Sequence, residues 1–156
     1  CCSLLSRIIH TESSKSAAGA SGVCEGLAIA FEQYEDDRGF VTVASEAVAG
    51  FALNCPVNAD RCAKTKLCLM IFRALESHMN HSEVAAALFL AVKALAITVL
   101  NRRFFGGGDG CELIKIVMLK NADSELACIN SCEAVSAIAF DSQENKEMYG
   151  KIGMCD

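Results

Sequence analysis

Apolar residues recur along this chain three and four positions apart, the period of a helix with one buried face. Leu27, Ala30 and Phe31 show it first, then Ile71, Phe72 and Leu75, then Leu113, Ile116 and Val117. Each stretch follows a cysteine and ends in a short polar turn: Tyr34-Glu35-Asp36-Asp37, His78-Met79-Asn80-His81 and Lys120-Asn121-Ala122-Asp123. Beyond each turn the pattern predicts a longer, alanine-rich helix, over Ala44–Leu53, Val84–Thr98 and Leu126–Phe140. A loop carrying an asparagine then leads to a short helix, Ala59–Ala63, Arg102–Phe105 or Lys146–Lys151. Gly22, the run Gly106-Gly107-Gly108, and Gly150 with Gly153 permit sharp turns at or just before the next cysteine.

The same order of elements returns with a fixed register. Cys24, Cys68, Cys111 and Cys155 are spaced by 44, 43 and 44 residues, and Asn58, Asn101 and Asn145 by 43 and 44. Four residues after each asparagine comes Cys62, Phe105 or Tyr149. At an offset of 87, Cys24-Glu25 falls on Cys111-Glu112, Ile29 on Ile116, and Glu46-Ala47-Val48 on Glu133-Ala134-Val135, with no gap over 35 positions. Lone alanine-rich helices bury too little surface to stand by themselves, so such units are expected to stack. The reading is a single array over residues 1–156, with approximate repeats 24–67, 68–110 and 111–154.

Three helices in 43–44 residues, the paired segments Ala47–Asn58 (AVAGFALNCPVN) and Ala134–Asn145 (AVSAIAFDSQEN), and the Gly-x-Cys-Asp/Glu step partly kept at Gly153-Met154-Cys155-Asp156 resemble the armadillo repeat family. The resemblance implies an all-α fold, a right-handed α-solenoid (an armadillo-like superhelix) of about three repeats. The helix after each cysteine would be the family's second helix. The alanine-rich one would be its third, lining a concave groove, and the short one the first helix of the next repeat. HEAT-type repeats, with two helices per unit, are the alternative. In peptide-binding family members the groove carries Trp and, one turn later, Asn. Those slots correspond here to Glu46, Leu90 and Glu133, and to Gly50, Ala94 and Ala137. None keeps the family residue, so recognition of nuclear-localisation signals is not expected. Lys93 and Ser136 are expected beside these slots.

By that resemblance the chain is a non-catalytic scaffold binding an extended peptide or partner protein along the third-helix groove. Two glutamates there favour a basic or polar ligand, and Leu90 between them offers an apolar contact. The alternative is a structural or assembly segment of a longer solenoid, whose ends stack on neighbouring repeats or chains. At the 87 offset, Leu4-Leu5 falls on Ala91-Val92, so the chain is expected to open inside a third helix and to close, at Cys155-Asp156, on the start of another second helix. It is then a piece of a longer array, or self-associates through uncapped ends. A mean hydropathy of +0.33 agrees with a surface that expects a neighbour.

Composition narrows the chemistry. Apolar residues make up 53% and charged residues 21%, with one proline and no tryptophan, which fits long helices. A net charge of −5 argues against a general nucleic-acid binder. Ten cysteines would suit a secreted disulfide scaffold, but that class is small and poor in aliphatic residues. Most of these cysteines lie within helical patterns and read as reduced, buried thiols, which places the protein in the cytoplasm, with the nucleus as the other reducing compartment. Cys1 and Cys2 would be lipidation candidates in a longer parent, and packing is the simpler reading. Val84 to Leu100 is 17 residues with one charge, Lys93; a central Lys costs about 2.5–3.5 kcal/mol in a bilayer, so a membrane span is rejected.

No cofactor or metal is expected. Cys128 and Cys132 form one zinc half-site without a second, and the marker cysteines should lie a repeat apart. The loop Gly106-Gly107-Gly108-Asp109-Gly110 is followed by Cys111-Glu112, where a phosphate loop needs Lys-Ser/Thr. His78 and His81 fall in a turn expected to be solvated, and His10 has no recognisable partner. The basic clusters Arg61–Lys66 and Arg102-Arg103, and the acidic run Glu32–Asp37, read as solvated faces. At least one of Phe104 and Phe105 should plug the slot shared with Cys62 and Tyr149.

Overall fold

The computed structural model describes residues 11–154, and among these every regular element is an α-helix. In chain order they are α1 (Glu12–Ala20), α2 (Val23–Gln33), α3 (Arg38–Ala52), α4 (Pro56–Lys64), α5 (Leu67–Ser77), α6 (Ser82–Leu95), α7 (Val99–Gly106), α8 (Asp109–Lys120), α9 (Glu125–Ala139) and α10 (Gln143–Lys151). The protein is all-α. The expected third-helix opening at Leu4-Leu5, Cys1, Cys2, His10 and the closing Cys155-Asp156 lie outside the described residues.

Each helix packs on the one three places further along the chain. The long helices α3 and α9 both lie against α6; α2 packs on α5 and α5 on α8; α1 on α4, α4 on α7 and α7 on α10. α6 sits at the centre, and its sequence explains why. Val84 through Phe89, with Ala91, Val92, Ala94 and Leu95, are all buried. A helix apolar on all sides must be covered on all sides. Its alanines let two neighbours approach closely, while Leu88 and Phe89 fill the space between. Cys24, Cys68 and Cys111 are buried in the first turns of α2, α5 and α8, and Cys62, Phe105 and Tyr149 are buried as the shared slot predicts.

The repeated asparagines do more than mark a loop. Asn58 donates from Nδ2 to Phe51 O (3.1 Å) and Lys15 O (2.9 Å). Asn101 donates to Leu95 O (2.8 Å) and Ala59 O (3.0 Å), and Asn145 to Ile138 O (2.8 Å) and Arg102 O (3.1 Å). The first acceptor of each pair lies in the last turn of α3, α6 or α9, where helical carbonyls lack an intrahelical partner. The second lies one period back, in the preceding short helix. One amide thus caps a long helix and ties neighbouring units together. A second row of ties runs through the turns after α5 and α8: His78 Nε2 lies 2.6 Å from Glu35 O, and Asn121 Nδ2 donates to Met79 O at 2.8 Å. His78 is therefore buried, contrary to the solvated turn expected for it; a carbonyl only accepts, so Nε2 carries a proton.

Helix ends depart from the apolar pattern where caps decide them. α3 starts at Arg38, six residues before the alanine-rich run, because the Asp37 carboxylate accepts from Phe40 N at 3.0 Å. α6 stops at Leu95, short of Thr98, because Thr98 caps the next helix by accepting from Asn101 N at 3.4 Å. α1, with sequence ESSKSAAGA, lacks any large apolar side chain for a periodicity to register. The glycine run also has a tighter role than a flexible turn. Gly108 has φ 49°, and Gly110 lies inside α8, where a Cβ would meet Phe105 O at 2.3 Å. Glycine there allows the backbones of α7 and α8 to touch.

Candidate functional site

The positions expected to line a groove all fall on α3, α6 and α9, and packing sorts them. Glu46, Glu133 and Ser136 are exposed, Gly50, Leu90, Lys93 and Ala137 are half-buried, and Ala94 is buried. Lys93 Nζ lies 2.8 Å from Glu133 Oε2, the only ion pair within 4 Å among the described residues. With side chains 32% and 44% exposed, the pair adds little stability. Its consequence is local: Lys93 and Glu133 face each other, while Glu46 has no ion pair among the described residues.

Lys93, Ala94 and Ala137 meet in a cavity of about 260 Å³ at the C-terminal ends of the three long helices. Its other walls are Leu53, Asn54, Ala96, Ile97, Arg102 and Phe140, which the groove slots did not include. The register held the clue: Leu53, Ile97 and Phe140 each stand seven residues, two helical turns, beyond Glu46, Leu90 and Glu133. Leu53 and Phe140 are strongly exposed. Arg102 departs from the solvated role expected of it. It is 9% exposed, donates from Nη1 to Ile97 O at 3.2 Å, and sets its guanidinium 5.8 Å from the centre of the Phe140 ring. Arg103 is exposed, as expected.

A second, open cleft of about 580 Å³ lies between the first turns of α3 and α6, where Arg38 Nη1 stands 3.4 Å from His81 Nδ1. The acidic run Glu32–Asp37 is solvated throughout. Phe104, 42% exposed, packs edge-on against Phe72 and Phe105.

The described cysteines are free thiols, and no group of three or more His, Cys, Asp or Glu among the described residues is placed to hold a metal. Cys24 and Cys62 are both fully buried with sulfurs 3.6 Å apart. Hydrogen bonding with Cys24, then burial, pushes the Cys62 thiol far up, and burial pushes Cys68 up to about 12. Thiols held protonated in this way are poor nucleophiles and poor metal ligands. Among the described residues no helix is long and apolar enough to cross a membrane. The chemistry on offer is a surface of aliphatic and aromatic side chains, the carboxylate of Glu46, the Lys93–Glu133 pair and the Arg102 guanidinium. Comparison of the chain with protein-family models, with curated proteins and with solved structures found no match.

Proposed function

We propose that the chain is an armadillo-like α-solenoid of about three repeats, and that it works as a non-catalytic scaffold holding an extended segment of a partner protein across α3, α6 and α9. The observation that carries this reading is the common face of those helices. Glu46 and Glu133 are exposed and Leu90 between them is half-buried, while Ala47, Ala91 and Ala134, the next residue of each helix, are buried where α6 packs against α3 and α9. The rows of helices packed three apart, and the asparagine ties between them, support a solenoid whose units follow one another in a superhelix. Buried free thiols support a reducing compartment, the cytoplasm or nucleus. Because Lys93 already occupies Glu133, the partner's basic or polar character belongs opposite Glu46.

The test selects binding peptides from a random 16-residue library against the reduced protein and measures their affinities by fluorescence anisotropy. Glu46→Lys should weaken the selected peptides about five- to tenfold, the scale of a reversed exposed charge contact, with thermal stability unchanged. Affinities that ignore Glu46→Lys for every selected peptide would contradict the groove.

A further inference from the structure

The cavity at the C-terminal ends of α3, α6 and α9 has a composition that the rest of the face lacks. Leu53, Ile97 and Phe140 give it apolar walls, Lys93 and Arg102 stand in its lining without a carboxylate beside them there, and of the two only Lys93 has an ion-pair partner, Glu133. Its volume, about 260 Å³, is below the range of about 300–1,000 Å³ usual for small-molecule sites and suits one large side chain. Arg102 is the telling residue. Nine-tenths buried, it has one carbonyl and one ring for company, and a desolvated cation without a counter-charge is costly. Asp141 and Glu144 line the shallow surface on its other side, and neither forms an ion pair with it.

We infer that this cavity receives a leucine or phenylalanine side chain from an internal segment of the partner, and that an aspartate or glutamate next to that residue completes the charge of Arg102. The inference rests on the proposed groove and adds the chemistry of one subsite to it. The apolar side chain would be stripped of water between Leu53, Ile97 and Phe140. The neighbouring carboxylate would turn towards the guanidinium, whose planar donors suit it.

The experiment uses the full, reduced chain and an array of acetylated, amidated 12-residue peptides. Each holds a single Leu or Phe flanked by Asp and Glu, by Lys and Arg, or by Ser. A further set ends in Leu or Phe with a free carboxylate. The acid-flanked internal peptides should bind tightest. Ala137→Leu, which fills the cavity, and Phe140→Ser, at an exposed position whose change leaves the core alone, should each weaken them at least about tenfold, the equivalent of one large apolar side chain left in water. Binding to no peptide, a preference for basic or neutral flanks, binding confined to the free-carboxylate set, or affinities unmoved by both cavity variants would each overturn the inference. Peptides that ignore their flanks but weaken with Glu46→Lys would sink the cavity and leave the groove standing. Sensitivity to the cavity variants without sensitivity to Glu46→Lys would do the reverse.

Discussion

Truncation of Phe89 to alanine is expected to remove about 3–5 kcal/mol of unfolding free energy, the range for a buried aromatic residue whose site cannot collapse. Phe89 is fully buried on α6, the helix that carries both α3 and α9. Its neighbours one turn earlier on the same helix, Ala85 and Ala86, have no longer side chains that could swing into the void. Since whole domains are stable by only about 5–15 kcal/mol, the variant should sit close to unfolding. Denaturant unfolding followed by circular dichroism checks this, with Ile129→Ala as the comparison. Ile129 is 50% exposed on α9, and its loss should cost under about 1 kcal/mol. Equal losses from the two substitutions would mean that α6 is not the centre of the core.

Asn101→Ala should cost about 2–3 kcal/mol, which at this chain length lowers the melting temperature by about 5–10 °C. The side chain is buried, and its Nδ2 serves two carbonyls on different helices, Leu95 O at the end of α6 and Ala59 O on α4. Alanine leaves the first of these buried without a donor. The exposed Asn80 is the comparison: it accepts one bond from Lys120 at 2.9 Å, and Asn80→Ala should stay within about 0.5 kcal/mol. A small effect of Asn101→Ala would show that the repeated asparagine is a loop residue and that the units are held by apolar packing alone.

The period was legible because it is written in buried positions. Cys24, Cys68 and Cys111, Asn58, Asn101 and Asn145, and the plug residues Cys62, Phe105 and Tyr149 all face the interior, where each must fit the same kind of space once per unit. What the apolar pattern could not show lies at polar places. Asp37, Thr98 and Ser124 set the starts of α3, α7 and α9 through cap bonds that leave no hydrophobic trace. The burial of His78 depends on a carbonyl 43 residues away, and that of Arg102 on Ile97 O and the Phe140 ring, contacts that only the packed chain creates. The candidate groove was legible in part for the same reason. The register placed Glu46, Leu90 and Glu133 on a shared face. It could not show that Lys93 turns across to Glu133, or that the face continues two helical turns on into a cavity.

A groove on α3, α6 and α9 is tested most directly by where a bound segment lies. Amide chemical-shift mapping of the reduced, isotope-labelled protein, titrated with the tightest peptide from the random library, measures that. Shifts should concentrate on α3, α6 and α9, around Glu46, Leu90, Lys93 and Ser136. Shifts confined to α2, α5 and α8, around Ile29 and Arg73, would contradict the groove.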